Sequence, residues 1–248
     1  MTSDKPVISV VIPAFNEEKY IALAITSVQS QKVAVPFEII VINNVSTDNT
    51  AAIAKELGVK VVAEVDKGLA NARQQGLDEA KGEYVLYIDA DSRLKEGMLQ
   101  ELYTYFQQHP SVVAVSCQQD YYDGRLIDKL GMAIFSSILI PLGLIIMRLL
   151  RKPDFFIASC IMVKTEKLRA AGGINKDFPF FGDDTSMSLR MATQGTVRFL
   201  PKLAIHTSAR RLKREGILFT LFRYWGVFFL MQFRSEKTAR KFAARYNS

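Results

Sequence analysis

Two groups of carboxylates in this sequence could do chemistry. Asp89 and Asp91 stand two residues apart, directly after the apolar run YVLYI at residues 84–88. Alternate residues of an extended segment point to the same side. Two carboxylates held together repel unless one is protonated or a cation lies between them. A hard divalent cation such as Mg2+ or Mn2+ relieves the repulsion and keeps positions open for phosphate oxygens. A bare D-x-D is also what a solvated loop before a helix at Met98 would show, and its position at the end of a buried strand is what favours the cation. The second group is Asp183-Asp184, far downstream. Such a pair could supply a general base, or could simply favour a helix N-terminus through the dipole.

The elements that must position these groups alternate between two periods. Residues 7–12, 37–42, 59–63, 84–88 and 112–116 read as strands, the first as a continuous apolar run suited to burial on both faces and the second as another buried strand. Residues 17–31, 47–57, 68–80 and 98–108 read as helices, the second with Ser46 or Thr47 as N-cap and Gly58 past its end. Strand and helix alternating at this spacing predict an α/β fold with a mostly parallel sheet flanked by helices. Ligands of such sheets bind beyond the carboxyl ends of the strands. There lie Pro13-Ala14-Phe15-Asn16-Glu17-Glu18, Asn43-Asn44-Val45-Ser46-Thr47-Asp48 and Asp89-Ala90-Asp91-Ser92. No G-x-G-x-x-G follows the first strand and no G-x-x-x-x-G-K-[ST] occurs, which excludes a dinucleotide fingerprint and a P-loop. A nucleotidylyltransferase would want a glycine-rich loop after strand one, and PAFNEE has no glycine.

VISVVIPAFNEEKYI, FEIIVINNVSTDNT, GLANARQQGLDEAKGEYVLYIDADS and FFGDDTSMSLRMATQG occur in this order. Together they resemble the family-2 glycosyltransferases of the GT-A fold, over roughly residues 5–205. The resemblance implies an inverting, metal-dependent transfer from a nucleotide-diphosphate sugar, with a UDP-sugar preferred, and Mn2+ or Mg2+ as cofactor. By resemblance Pro13, Ala14, Phe15 and Glu17 line the nucleotide pocket. Asn43 stands where the family has an acid that accepts a hydrogen bond from the base, and an amide oxygen can still accept one. Val45 replaces the family's glycine, and Gln74 an asparagine. Arg73 would reach the nucleotide or its phosphates. Asp91 would be the direct metal ligand, while Asp89 and Ala90 would sit against the ribose and the metal shell. Asp183 belongs to the donor pocket, Asp184 matches the general base, and Arg190 matches the arginine that follows it. His206 is a further candidate metal ligand. The alternative is a non-catalytic protein of the same fold that binds sugar nucleotides at a membrane.

Charge and hydropathy add a surface. The net charge is +7. Residues 202–248 carry eleven basic residues against Glu215 and Glu236, a net of +9, which leaves −2 for residues 1–201. An apolar, aromatic stretch at 216–233 between basic clusters suits an anionic membrane surface better than nucleic acid. Residues 130–147 form an eighteen-residue stretch without a charge. A single crossing there would put Asp91 and Asp184 on opposite sides of the bilayer, and the return candidate, residues 155–163, is half the length a helix needs. The segment is therefore read as monotopic, re-entrant or core. Gly131, Ser136, Ser137, Pro141 and Gly143 suggest a bent hairpin. The resulting organisation is a catalytic domain at 1–209, with a nucleotide-binding half at 1–118 and an acceptor half at 119–209, followed by a membrane-associating tail at 210–248. The acceptor expected is a lipid or lipid-linked saccharide in cell-envelope or polysaccharide synthesis. The expected location is cytoplasmic, peripheral or monotopic on the inner face of the cell membrane. Two cysteines, Cys117 and Cys160, fit a reducing compartment, and two histidines without a C-x-x-C argue against a structural zinc site. The N-terminal apolar run has no basic flank or cleavage site and reads as a strand.

Overall fold

The apolar runs near residues 8, 37 and 84 are buried together in the computed structural model, which describes residues 5–154, 159–178, 182–216 and 219–220. The strands are β1 (Ile8–Ala14), β2 (Phe37–Asn44), β3 (Lys60–Glu64), β4 (Tyr84–Ile88), β5 (Ser92–Arg93), β6 (Val112–Tyr121), β7 (Cys160–Lys164) and β8 (Thr196–Thr207). They form one sheet in the order β3-β2-β1-β4-β7-β6-β8-β5. The helices are α1 (Ile21–Gln29), α2 (Thr50–Glu56), α3 (Leu69–Glu79), α4 (Met98–Gln108), α5 (Leu126–Ile134), α6 (Ile140–Leu149), α7 (Thr165–Ala170), α8 (Asp183–Met191) and α9 (Arg210–Glu215).

The sheet is mixed. β1 pairs in parallel with β2 and β4, β2 with β3, and β6 with β8. β7 runs antiparallel between β4 and β6, and β5 antiparallel to β8. The sequence reads residues 112–116 as the next strand of a parallel set. The later β7 takes that place beside β4, a long-range pairing that local periodicity does not encode. Alternate residues of each central strand serve opposite cores. Val10 and Ile12 face the cluster with Ile21, Ile25, Leu99 and Phe106, while Val11 faces the cluster with Ala72, Leu77 and Met187.

One contact sets the seating of α3. A Cβ on Gly76 would lie 2.3 Å from Val11 Cγ1. Only glycine lets α3 lie this close to β1, and Arg73 sits three residues earlier on the same helix.

The loops after β1 and β2 are laced to each other. Asn16 N–H donates to Ser46 Oγ, and Thr47 N–H donates to Asn16 Oδ1. Glu17 N–H donates to Thr50 Oγ1 at 2.8 Å, and Glu18 N–H to Asp48 Oδ2. Ser46 and Thr47 therefore do not cap α2. Its N-cap is Asn49, and Asp48 Oδ1 accepts from Thr50 N–H.

The apolar segment is one unbroken helix over Leu126–Leu149, not a bent hairpin. A π turn at Phe135–Leu139 joins α5 to α6, with Ile140 N–H donating to Phe135 O. Pro141 explains it: lacking an N–H and crowding the preceding turn, it makes a wider turn the cheaper solution. One face of this helix buries Met132, Phe135, Ile140, Leu144 and Met147 against Phe199, Ala209 and Leu212. The opposite face exposes Leu130, Ile134, Ile138, Leu142, Ile145 and Leu149. Leu212 belongs to α9, so the first residues of the expected tail pack into the body of the domain. The remainder of that tail, including the stretch at 221–233, lies outside the described residues, as do residues 155–158.

Val45 holds φ +53° in the turn after β2. A β-branched residue there costs about 1–2 kcal/mol relative to the right-handed region. Val45→Gly should raise stability by up to about 1 kcal/mol, because glycine's greater unfolded-state freedom offsets part of the relief. Urea unfolding of the two proteins measures this, and an unchanged or lower midpoint would contradict the strain.

Candidate active site

β1, β2 and β4 are parallel, so their carboxyl ends open on one edge of the sheet. Ala14 pairs with Asn43 at that edge, and the backbone continues into Phe15–Glu17 and Asn44–Asp48. From β4 the chain enters Asp89-Ala90-Asp91. It does not stay extended there, since Ser92 N–H donates to Asp89 O at 2.9 Å and closes a tight turn around the buried Ala90. The two carboxylates meet different arginines.

Asp89 meets Arg73, whose Nη2 lies 3.5 Å from Asp89 Oδ1. Arg73 Nη1 donates to Asp183 Oδ2 in a second, short ion pair. The Arg73 side chain is 1% exposed and that of Asp183 3%. The turn after β4 and the start of α8 are thereby joined through α3, the Arg73–Asp183 contact itself spanning 110 residues of chain. Read from sequence as a residue that reaches the phosphates, Arg73 is instead buried and engaged by carboxylates, because α3 carries it under the site. Tyr87 Oη donates to Arg73 O and Gln74 Oε1 accepts from Ile174 N–H, which tie α3 to β4 and to the loop before α8. Arg190 lies 3.4 Å from Gly172 O and Gly173 O on that loop, a bracing role away from the carboxylates.

Gly182 is the N-cap of α8 at φ +90°, and Asp183 and Asp184 form its first turn, where the dipole favours acids. Phe181, the residue before this motif, lies outside the described residues. Asp184 Oδ1 accepts from Thr185 N–H at 2.7 Å. Burial, then the neighbouring Asp183 charge, pushes the Asp184 carboxyl up to about 7, against the pull of Arg73. Loss of solvent raises Asp89 to about 6, also against Arg73. A carboxyl poised near neutrality suits a general base.

Asp91 meets a residue that sequence reasoning assigned only to the membrane-facing tail. Arg210 Nε lies 2.9 Å from Asp91 Oδ2, and Arg210 Nη1 donates to Glu17 Oε2 at 2.8 Å while Nη2 pairs with Glu17 Oε1. Burial raises the carboxyls of Glu17 and Asp91, and Arg210 pulls both down. Arg210 is 193 residues from Glu17, so no spacing rule would find the pair. The available hint was its position four residues beyond His206, on the chain leaving the strand that pairs with β5.

The remaining expected residues fall as follows. Among the described residues Asn43 Oδ1 is buried with no hydrogen-bond partner, so this acceptor is open to a ligand. Phe15 is exposed at the mouth, with Lys67 Nζ 4.4 Å from its ring centroid. Pro13 and Ala14 are buried at the end of β1 and shape the floor by backbone. His206 pairs with Arg93 across β8 and β5, and its Nε2 lies 3.7 Å from Asp120 Oδ2. Burial lowers its pKa. Among the described residues no three His, Cys, Asp or Glu side chains are gathered as a ready cation cage. Asp89 and Asp91 are oxygen donors of the kind a hard divalent cation takes, and Glu17 shares Arg210 with Asp91.

The family model for glycosyl transferase family 2 matches residues 9–171, which contain β1 to α7 and both arms of the Asp89–Asp91 turn. The chain belongs to glycosyl transferase family 2. This family-2 chain is 32% identical over 120 residues to the glycosyltransferase GlyG of Streptococcus pneumoniae, covering 46% of this chain and 40% of that protein. It is 31% identical over 148 residues to a 4,4'-diaponeurosporenoate glycosyltransferase of Staphylococcus aureus, covering 53% of this chain and 39% of the relative. The matched part is thus about two fifths of these relatives' length. In fold the chain is similar to a mannosyltransferase from Pyrobaculum calidifontis solved with GDP-Man and Mn2+, at a TM-score of 0.67 and 21% identity, covering 91% of this chain and 62% of that one.

The raised Asp184 carboxyl has a stability consequence. The folded state holds a proton that the unfolded state releases from an ordinary value of 3.8. Asp184 therefore favours folding least above pH 7, and the loss develops as pH rises from 4 to 7. Asp184→Asn should gain in melting temperature relative to wild type as pH is raised from 5 to 8. A difference that stays flat across that range would contradict the shift.

Proposed function

We propose that this chain transfers a sugar from a nucleoside-diphosphate sugar to an acceptor hydroxyl, with inversion at the anomeric carbon. One observation carries the reading: within a family-2 chain, Arg73 joins Asp89 to Asp183, which brings the D-x-D carboxylates and the Asp183-Asp184 pair around one space.

Asp184 accepts the proton of the acceptor hydroxyl as its oxygen bonds to the anomeric carbon. The bond from that carbon to the diphosphate oxygen breaks, and its electron pair leaves with the diphosphate. One carboxylate on the face opposite the leaving group inverts the centre, by the logic of an inverting glycosidase with an acceptor in place of water. Asp91, with Asp89 beside it, would hold Mn2+ or Mg2+, which supplies positive charge to the leaving diphosphate. The Mn2+ of the similarly folded mannosyltransferase supports this choice. Arg73 holds Asp89 and Asp183 in register beneath the donor. Asn43 offers its unpartnered oxygen to the base, with UDP the preferred nucleotide, beside a floor of Pro13, Ala14 and Phe15. Ala90 sits buried inside the turn, Glu17 shares Arg210 with Asp91, and His206 lies beside Asp120.

The exposed face of the Leu126–Leu149 helix supports docking to a membrane. Apolar side chains stand outward along its length, and Lys129, Arg148, Arg151 and Lys152 flank its uncharged stretch 130–147 at headgroup distance. We place the enzyme on the cytoplasmic face, with a lipid or lipid-linked saccharide as acceptor.

Donor hydrolysis with Mn2+ and a panel of UDP-, GDP-, CDP- and dTDP-sugars tests the chemistry. Asp184→Asn should lower turnover by about 10²–10⁴-fold. Wild-type turnover should rise with pH through about 7, where Asp184 loses its proton. Metal-dependent turnover by Asp184→Asn at the wild-type rate would overturn the assignment of the base.

Vesicle sedimentation tests the surface. The chain should pellet with vesicles containing anionic phospholipid, and the double substitution Ile134→Glu, Ile138→Glu on the exposed face should release it. Equal pelleting by the variant would contradict docking through this helix.

A further inference from the structure

Arg210 occupies an unusual place. Its guanidinium is shared by Asp91 and Glu17, and its charge lies 5.1 Å from the Tyr20 ring centroid. The Asp91 and Glu17 side chains are each 11% exposed. The arginine is not a loose surface residue. Asp123 accepts from Ser208 Oγ, Ala209 N–H and Lys213 Nζ, fixing the start of α9. Leu212 anchors the same turn in the apolar cluster beneath the long helix. The backbone that carries Arg210 is thus held in place independently of its head group, and the head group can leave its carboxylates without α9 moving.

We infer that Arg210 is a displaceable counter-cation at Asp91 and Glu17 that makes divalent-cation binding conditional on a nucleoside diphosphate. The inference rests on the reading of Asp91 as a ligand of the cation. Electrostatics then sets the order of events. A bare cation arriving at Asp91 must displace Arg210 Nε from that carboxylate while the other two guanidinium nitrogens stay on Glu17, which leaves the arginine charge beside the newcomer, like against like. A cation that arrives with a diphosphate brings the anion that the displaced guanidinium can pair with, in the planar fork geometry arginine favours. The cation and the nucleotide then bind with positive coupling, and by linkage each strengthens the other by the same factor.

Mn2+ titration of the full chain by calorimetry, with and without a nucleoside diphosphate, measures that coupling directly and needs no turnover. UDP, GDP, CDP and dTDP are each used as the nucleotide. Wild type should bind bare Mn2+ weakly and gain about tenfold or more in affinity when the nucleotide is present. Arg210→Ala should bind bare Mn2+ at least about tenfold more tightly than wild type and lose most of the nucleotide-dependent gain. Arg210→Lys, which keeps the charge, should retain weak binding of the bare ion, and melting curves of the three proteins establish that each is folded. Bare-Mn2+ affinity in Arg210→Ala equal to or weaker than wild type, with the coupling intact, would overturn the role of Arg210 while leaving the cation site standing. Absence of Mn2+ binding by both proteins with every nucleotide would overturn the cation site itself, and the inference with it.

Discussion

A guanidinium buried between two carboxylates from distant parts of the chain organises this molecule. Arg73 is fully buried and reaches Asp89 on one side and Asp183 on the other. Removing one member of such a group strands a charge in a poorly solvated place, a loss of about 3–5 kcal/mol in comparable cases. The arrangement therefore constrains everything that touches it. β4 must end where it does, α3 must approach β1 closely enough to need Gly76, and α8 must begin with its acids facing inward.

The charge count explains the character of the site. Asp89, Asp91, Asp183, Asp184 and Glu17 present five carboxylates, while Arg73 and Arg210 supply two guanidinium groups in direct contact and Arg211 a third that pulls Asp89 and Asp91 down from nearby. Positive charge is in short supply, and burial removes the water that would otherwise compensate. Loss of solvent first, and the neighbouring acid charges after it, displace Asp89 and Asp184 upward. The same shortage fits the divalent cation proposed for the cluster, and nearly complete burial beside the Asp183 charge fits Asp184 for the proposed role of proton acceptor.

The long apolar helix and the site are neighbours through α9. Leu212 packs on the inner face of the helix, and Arg210, two residues earlier, holds Asp91 and Glu17. The exposed apolar helix and the carboxylate site thus share one short element.

Much of this was legible in the residues. The central strands and α4 follow from hydrophobic period, and the acids at the strand ends follow from where open sheets bind ligands. Asp183-Asp184 could be placed at a helix start because the dipole favours acids there. Other features were not legible. β7 inserts between β4 and β6, Asp48 and Asn16 lace two loops together, the apolar segment stays a continuous helix, and Arg210 returns to Glu17. Local periods and turn preferences act over a few residues, so the sequence by itself determined the elements and the chemical inventory at their ends. Which charges meet is set by packing between segments more than a hundred residues apart, where burial and Coulomb energy depend on the assembled geometry, and only the tertiary structure decided that.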